Sequence, residues 1–338
     1  MAKKLKTVHK DLLTLAILAA LYAVLAVLLY SGTMSRQLMN MLIPVSMYVV
    51  MAVSLNLVVG LLGELSLGHA GFMSLGLFSG CLLSLFLNGQ VPEIVRIPLS
   101  MLAGGLVAAI GGLIVGLPAL RLRGDYLAIV TLACCEIIKS VITNLNFTGG
   151  ARGLNTAPVY TNAKHLLPYA AVLVLITALV MMNLKRSKQG RAIMSIRDNR
   201  IAAESVGINV TYYKLAVFVL AAFFAGAAGA LYGHCFANVK AVSFDYNVSI
   251  EILVIVVLGG MGSIGGSVVA AIVLRTLPEM LREFQNFRML VYAIVLILVM
   301  LATNNPRLKQ FFSGLHPGTL WKKWKAGRIK EKEAGSHE

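Results

Sequence analysis

Long apolar runs constrain this chain more than any other feature of its sequence. A helix that crosses the hydrocarbon core of a bilayer needs about 20 consecutive apolar residues. Eight stretches meet that requirement with few or no charges, at residues 12–30, 39–62, 70–88, 97–120, 126–146, 166–184, 215–235 and 289–303. The composition agrees, because 58% of the residues are hydrophobic and 13% are charged, whereas about a quarter are charged in soluble domains. The sequence therefore predicts an all-α, polytopic membrane helical bundle.

A ninth apolar stretch, residues 249–274, is interrupted by the glycine-rich string GGMGSIGG at 259–266. The distribution of basic residues bears on how it folds, since cytoplasmic loops are enriched in Lys and Arg. With a cytoplasmic N-terminus, the inner segments carry 21 Lys and Arg residues and the outer segments carry 8, among them Arg275. One simple crossing at the ninth stretch would place the basic C-terminal tail outside. We therefore predict two half-crossings or a re-entrant hairpin there.

The resulting topology has eight full spans plus one broken or re-entrant pair, hence eight to ten transmembrane helices, with both termini cytoplasmic. Residues 1–10 form a basic cytoplasmic N-terminus, residues 11–305 form the transmembrane domain with a long cytoplasmic loop at 185–214, and residues 306–338 form a basic cytoplasmic tail. The net charge of +16 is concentrated in the cytoplasmic segments. This distribution indicates contact with lipid and not with nucleic acid.

Two glycine clusters share the pattern G-x-x-S-[L/I]-G: GELSLG at 63–68 and GMGSIG at 260–265. Irregular backbone at membrane depth is tolerated only where it is buried in protein or lines a wet cavity. Paired broken segments in two halves of a chain are typical of a transport pathway. We predict hinges or half-helix ends beside a route across the membrane, formed by Asn56, Gly63, Glu64, Ser66, Gly68, His69, Gly260, Gly262, Ser263 and Gly265. The alternative is that these glycines form tight turns at the membrane surface. Whether the two copies run parallel or inverted stays open.

Glu136 is the only carboxylate that lies well inside a predicted span, and Lys139 follows it by three residues on the same helical face. We predict an intramembrane ion pair between them. Two roles remain open for it, a structural pair facing the bundle or a polar lining of the pathway.

His69 has no second histidine or cysteine at a metal-ligand spacing, and the HExxH pattern is absent. No metal site is predicted. A polar contact of His69 with Glu64 or Ser66 is expected instead.

Small residues predict where helices pack closely, since helices in lipid associate where backbones can approach. Gly112 and Gly116 are four apart in one span, and Gly229 and Gly233 are four apart in another. These glycines are assigned to packing and to no chemistry.

The long cytoplasmic loop contains DNRIAAESVGI at 198–208, which predicts a short surface helix. Asp198 or the following Asn is a suitable N-cap, and Gly207 is a suitable stop. Such a small-residue helix fits the groove of a partner protein. The alternative is a helix lying on anionic lipid, favoured by Arg191, Arg197 and Arg200.

Five strings together resemble one family, the membrane-spanning permease of bacterial branched-chain amino acid ABC importers, specifically its LivM-type subunit. They are LNLVVGLLGELSLGHAGF (55–72), LPALRLRGDYLAIVTLA (117–133), TGGARGL (148–154), RDNRIAAESVGINVTYYKLAVFVLAAFFAGAAGALYGH (197–234) and VVLGGMGSIGGS (256–267). The resemblance covers roughly residues 40–305, with the motifs in the family's order.

The resemblance implies a permease for leucine, isoleucine and valine in the bacterial inner membrane. The implied partners are a second homologous permease, two cytoplasmic ATPase subunits and an extracytoplasmic substrate-binding protein. It also implies that the loop helix couples to the ATPase, through Arg197, Asp198, Ala202, Ala203, Glu204 and Gly207. The phosphate-binding pattern GxxxxGK[ST] is absent. The chain is therefore expected to be a transport subunit and not an enzyme, with no cofactor of its own, and ATP and Mg would bind to the partner ATPases.

Three other functions are considered. Relatives in the same superfamily carry urea or short amides, which makes these the alternative substrates. A secondary transporter or channel would explain the broken helices but not the loop helix. An intramembrane hydrolase would use Ser66 or Ser263 with His69, although no recognised catalytic motif is present.

The topology gives a direct prediction. A reporter fused after Glu338 should report a cytoplasmic location, because the predicted broken pair returns the chain to the outer face before the last span. Paired fusions to green fluorescent protein and to alkaline phosphatase would measure this. An external signal would contradict the broken-pair topology.

Overall fold

The computed structural model describes residues 18–29, 35–122 and 124–281, together with positions 16, 31, 290, 291, 293, 294, 297 and 301. The chain divides into two compact units, Met1–Thr276 and Leu277–Glu338. The predicted termini, 1–10 and 306–338, lie outside the described residues. So does most of the predicted last span, of which the described positions are helical.

The described elements are almost all helices. They are α1 (Leu18–Leu29), α2 (Arg36–Asn56), α3 (His69–Phe86), α4 (Glu93–Ala119), α5 (Asp125–Asn144), α6 (Ala163–Arg186), α7 (Lys188–Asp198), α8 (Arg200–Ser205), α9 (Val210–Gly233), α10 (Tyr246–Gly259) and α11 (Ile264–Met280). Two short strands, β1 (Leu154–Asn155) and β2 (Asn238–Val239), form an antiparallel pair with Leu154 opposite Val239. The prediction of a helical bundle is confirmed.

Seven helical segments of the described chain are long and apolar enough to cross a membrane. Six of them coincide with predicted spans, and the seventh, Ala241–Gly259, contains the first half of the predicted broken pair. That half is therefore longer than the half-crossing expected from sequence. The described part of the first predicted span, α1, is a shorter apolar helix.

Helix α2 forms the centre of the first unit. Its most apolar window is 94% buried inside the chain, against 33% for α4 and 28% for α5. Ser35 begins the helix as an N-cap, because its side chain accepts a hydrogen bond from the Leu38 N–H at 3.4 Å. Because α2 is largely buried, the polar side chains along its apolar window lie inside the protein, whereas α4 and α5 present apolar side chains outward.

Helices α3, α4 and α9 pack closely through glycines. A Cβ on Gly76 of α3 would overlap the backbone of Gly226 on α9, and one on Gly226 would overlap Ala108 of α4. A Cβ on Gly104 would approach the carbonyl oxygen of Gly76 to 2.5 Å. The three backbones therefore approach at a distance that a larger residue does not permit.

The packing role predicted for four glycines agrees with their surroundings. Gly112 of α4 faces Ala222 of α9. Gly229 and Gly233, in contrast, face α3, where a Cβ would overlap the backbone of Met73 and the Cys81 sulfur respectively. The two faces of α9 thus pack on different helices.

Two glycines on α4, one heptad apart, provide a matched test of this packing. Gly104→Ala should destabilise the protein by about 1–3 kcal/mol, since the added methyl meets backbone atoms that cannot move aside. Gly111→Ala should be neutral or stabilising by up to about 1 kcal/mol, because its methyl meets only the end of the Leu75 side chain and alanine favours a helix. Thermal unfolding in detergent measures both. Equal effects of the two substitutions would contradict the packing.

Candidate functional site

The first glycine cluster lies where α2 ends. The helix widens into a π-helix, Leu57–Leu62, and stops at Gly63, whose φ of 77° is in the left-handed region that favours glycine. The Glu64 N–H donates to the Val58 carbonyl at 3.2 Å. Residues 64–68 have no regular structure before α3 begins. This cluster is a helix end, one of the two forms predicted.

The second glycine cluster joins α10 to α11. The chain turns through Gly260 and Gly262, with φ values of 90° and 81°. At the turn the two helices are so close that a Cβ on Gly259 would come within 2.7 Å of the Gly266 backbone. Farther along, Glu251 of α10 pairs with Arg275 of α11, so α11 runs back beside α10. The structure thus has a helical hairpin at the predicted glycines.

Asn56, the last residue of α2, connects the segment before the first cluster to the second cluster. Its Oδ1 accepts from the Gly262 N–H at 2.7 Å, and its Nδ2 donates to the Ser263 carbonyl at 3.0 Å and to Ser267 Oγ at 2.8 Å. A Cβ on Gly60 would overlap both Asn56 and Gly262. Two segments separated by about 200 residues in sequence therefore meet at one buried amide.

Basic side chains from the predicted cytoplasmic loop bind the carbonyls of both clusters. Arg197 of α7 donates from Nη1 to the Gly60 carbonyl at 3.0 Å, and its aliphatic part lies against Gly63. Lys185, near the end of α6, donates from Nζ to the Gly262 carbonyl at 2.5 Å. The loop is thereby attached to both clusters by charge-assisted hydrogen bonds, which are stronger than neutral ones.

The prediction that His69 contacts Glu64 or Ser66 is wrong. Its Nε2 lies 3.0 Å from Ser54 Oγ on α2, because the first turn of α3 packs on that helix. Glu64 instead forms an ion pair with Lys214 of α9, a lysine that is 3% exposed. Ser66 is buried, and its Oγ accepts from the Gly68 N–H at 3.5 Å. These contacts provide no hydrolytic arrangement of His69 with Ser66.

Ser263 and Gly265 lie at the start of α11. Ser263 Oγ accepts from the Gly266 N–H at 3.2 Å, which is the contact of a helix N-cap. Gly265 lies within the first turn of the helix and not in the turn before it. The second break therefore does not include Gly265, which the sequence placed among the predicted residues.

Glu136 and Lys139 form an ion pair on α5. The second Glu136 oxygen accepts from the Tyr246 N–H at 3.1 Å, at the start of α10. Among the two roles left open by the sequence, this contact favours a structural one, since it connects two helices.

Glu136 is not the only carboxylate inside a span, contrary to the prediction. Glu251 lies on α10, its Oε1 is 3.5 Å from Arg275 Nη1 of α11, and its Oε2 accepts from the Tyr48 hydroxyl of α2 at 3.1 Å. The sequence placed Arg275 in an outer loop. The reason for the error is that α10 begins before the apolar window and α11 extends beyond it.

The predicted loop helix is α8. Asn199 is its N-cap, accepting from the Ala202 N–H at 3.1 Å. The helix ends at Ser205, and Gly207 just beyond it has a φ of 83° and donates its N–H to the Glu204 carbonyl at 3.0 Å. Local capping chemistry therefore determined both ends of this element.

Five of the six predicted coupling residues are exposed on α8 and beside it: Arg197, Asp198, Ala202, Glu204 and Gly207. Ile201 and Val206 are each 76% exposed, although both are apolar. Ala203 is buried within this chain, and Arg197 points to Gly60. Of these two predicted coupling residues, Ala203 is therefore covered within this chain, whereas the Arg197 side chain remains 42% exposed.

Two cavities lie near opposite ends of α2. One, of about 20 Å³, is large enough for a water molecule and lies beside Asn56, Lys185 and Gly262. The other has a volume of about 500 Å³, and its lining includes Asn40, Tyr160, Asn162 and His165. Within the described part of the chain, no group of three or more His, Cys, Asp or Glu side chains could hold a metal ion.

Apolar spans arranged around a buried polar junction, with basic loop residues bound to broken helices, define a polytopic integral membrane protein of the transport class. The chain belongs to the family described as the branched-chain amino acid transport system permease component, whose profile matches residues 37–302.

Two relatives are the high-affinity branched-chain amino acid transport system permease proteins LivM of Salmonella typhimurium and Escherichia coli. Each is 34% identical over 285 residues, which cover 75% of this chain and 66% of the relative. The chain thus spans just under two thirds of their length. A ribose import permease protein, RbsC of Haemophilus influenzae, is 24% identical over 79% of this chain and 84% of its own length. No solved structure matches.

The Glu64–Lys214 pair predicts a non-additive effect on stability. Lys214→Met should destabilise the protein by about 3 kcal/mol, because it leaves a largely buried carboxylate without its partner, and Glu64→Gln should act in the same direction. The double substitution should cost clearly less than the sum. Thermal unfolding in detergent measures these differences.

Glu204→Gln is the matched control, since its pair with Arg200 is exposed and should contribute no more than about 1 kcal/mol. Additive effects at positions 64 and 214 would contradict a buried coupled pair.

Proposed function

We propose that this chain is the membrane-spanning permease subunit of an ATP-binding cassette importer for leucine, isoleucine and valine. A second homologous permease would complete the pathway, two cytoplasmic ATPase subunits would drive it, and an extracytoplasmic binding protein would deliver the amino acid. The observation that carries the proposal is the family match over residues 37–302. The bacterial inner membrane is the proposed location.

Docking of the ATPase at α8 is supported by the exposed apolar side chains of Ile201 and Val206. Exposed apolar side chains that lie close together often mark a contact with another protein, whereas scattered single ones do not. Ile201 lies in the first turn of the short helix and Val206 directly follows its last residue, and the capped ends give the helix a defined shape. In this proposal Arg200 and Glu204, paired at 2.9 Å, lie on the same accessible surface.

The route from α8 into the membrane follows the basic side chains of the loop. Movement of α8 would move α7, and Arg197 on α7 holds the Gly60 carbonyl. Lys185 holds the Gly262 carbonyl, and Asn56 connects the two clusters. Small displacements at the ATPase contact would therefore reach both helix breaks together. Hinges of this kind lie at the ends of elements, where a few residues absorb the change.

ATP hydrolysis is assigned to the partners in this proposal. The sequence lacks GxxxxGK[ST], the loop whose backbone cradles phosphates in nucleotide-binding proteins. ATP and Mg would accordingly bind to the ATPase subunits, and this chain would convert their motion into opening of the pathway.

Uptake measurements test the proposed function. In a strain of the source organism that lacks this gene, uptake of radiolabelled leucine, isoleucine and valine should fall, and the intact gene should restore it. Radiolabelled urea should enter at the same rate with and without the gene. Unchanged leucine uptake would overturn the proposal, and loss of urea uptake alone would assign the alternative substrate.

Gly207 provides a test of coupling. Gly207→Val should uncouple ATP hydrolysis from leucine uptake, because a β-branched residue does not tolerate a φ of 83° and the end of α8 would be displaced. Gly207→Asn is the matched control, since asparagine adopts left-handed backbone more readily. Leucine uptake should fall at least about tenfold in the Gly207→Val variant and not in the Gly207→Asn variant, with the subunit still in the membrane. Full leucine uptake by the Gly207→Val variant would contradict the coupling role of α8.

A further inference from the structure

Tyr48, Glu251 and Arg275 form a charged cluster that the proposed coupling does not use. The three residues come from α2, α10 and α11. Tyr48 donates its hydroxyl hydrogen bond to Glu251 at 3.1 Å, and the Arg275 guanidinium lies over the Tyr48 ring, 4.3 Å from its centre. Each of the three helices that meet at the glycine clusters therefore contributes one side chain to a second, separate polar site.

The position of this cluster along the helices places it deep in the membrane. Tyr48 precedes Asn56 by eight residues, and Glu251 precedes Gly259 by eight residues. At 1.5 Å per residue, the cluster lies about 12 Å from the glycine clusters. Tyr48 and Glu251 also lie near the middle of the candidate spans Leu38–Leu62 and Ala241–Gly259, which corresponds to the middle of a hydrocarbon core about 30 Å thick. Transporters commonly bind their substrate at this depth, beside interrupted helices.

The charged groups of the cluster are partly accessible. The side chains of Arg275 and Glu251 are 31% and 23% exposed, whereas Tyr48 is 5% exposed. Charges at this depth are costly in lipid and normally face a water-filled cavity or the interior of a bundle. An aqueous route along this surface would account for their exposure.

Arg275 and Glu251 also leave part of each other's hydrogen-bonding capacity unused. The nitrogen-to-oxygen distance of 3.5 Å between Arg275 and Glu251 is longer than the 2.7–2.9 Å typical of a tight charge-assisted bond. A guanidinium has five N–H donors, and a carboxylate has about four acceptor positions. Both groups retain capacity for a ligand that offers a carboxylate and an ammonium.

We propose that Arg275 and Glu251 form an intramembrane binding site for the charged groups of a free α-amino acid, with Arg275 binding the carboxylate and Glu251 binding the ammonium. This inference rests on the proposed function, and it identifies the substrate as a zwitterion. Urea has neither charge and would leave the Arg–Glu pair unused. Tyr48 acts as a positioning residue, since its hydroxyl holds Glu251 and its ring lies beneath Arg275.

Ligand analogues that each lack one charged group test the assignment. The probes are leucine, 4-methylpentanoate, which lacks the ammonium, and 3-methylbutylamine, which lacks the carboxylate. The full chain is purified in nanodiscs with its associated subunits retained, and saturation-transfer NMR measures binding, because this method detects weak ligands. Empty nanodiscs give the background from partition into lipid.

A crossed pattern is expected. Glu251→Gln should weaken leucine binding about tenfold or more, and it should leave binding of 4-methylpentanoate unchanged. Arg275→Gln should weaken leucine binding by a similar factor, without a loss of 3-methylbutylamine binding. Glu136→Gln, which removes the other intramembrane ion pair, is the matched control and should preserve the wild-type order of the three ligands.

Three outcomes would overturn the site. They are no leucine binding by the wild type, an equal loss of all three ligands in both variants together with a lower unfolding temperature, and leucine binding that neither substitution changes. The second of these would assign the cluster a purely structural role. The deletion-strain uptake assay separates this site from the proposed function, because leucine uptake that depends on the gene would stand even if the site were wrong.

Discussion

The structure depends on how backbone polar groups are satisfied where helices break at the two glycine clusters. Hydrocarbon offers no hydrogen-bond partners, so an exposed carbonyl or N–H costs several kcal/mol there. At the two glycine clusters these groups are bound by side chains: Asn56 binds the Gly262 N–H and the Ser263 carbonyl, Arg197 binds the Gly60 carbonyl, and Lys185 binds the Gly262 carbonyl. The breaks are permitted because these side chains are present. The same side chains then connect segments that are distant in sequence.

This requirement places function and stability in one network. Glycines at 60 and 63 allow Asn56 and Arg197 to approach the backbone, since a Cβ at either position would overlap one of those side chains. Lys214 and Glu64 add a buried ion pair beside the first break. Farther along the same helices, Tyr48, Glu251 and Arg275 form a second polar site. The two breaks and the loop at 185–214 are thus connected to one another through a few named bonds.

Much of the fold could be predicted because its signals are local. Six predicted apolar runs coincide with helices long enough to span a membrane. Asn199 and Gly207 flank α8, and the GGMGSIGG string contains the turn between α10 and α11. The candidate site was predicted less well. Its glycines were found, but His69 contacts Ser54 and not Glu64 or Ser66, Ala203 is buried, and Glu251 with Arg275 was missed. Each error concerns a partner from another helix.

The sequence by itself determined which segments are long apolar helices, how α8 is capped, and to which family the chain belongs. Hydrophobic length, capping residues and glycine turns act over fewer than about 20 residues, so they can be read along the chain. Only the tertiary structure decided that Asn56 connects the end of α2 to the second glycine cluster, that Arg197 binds the Gly60 carbonyl, and that Glu251 meets Arg275. The physical reason is that these bonds depend on the rotation and depth of packed helices. Residue spacing within one helix does not specify either quantity.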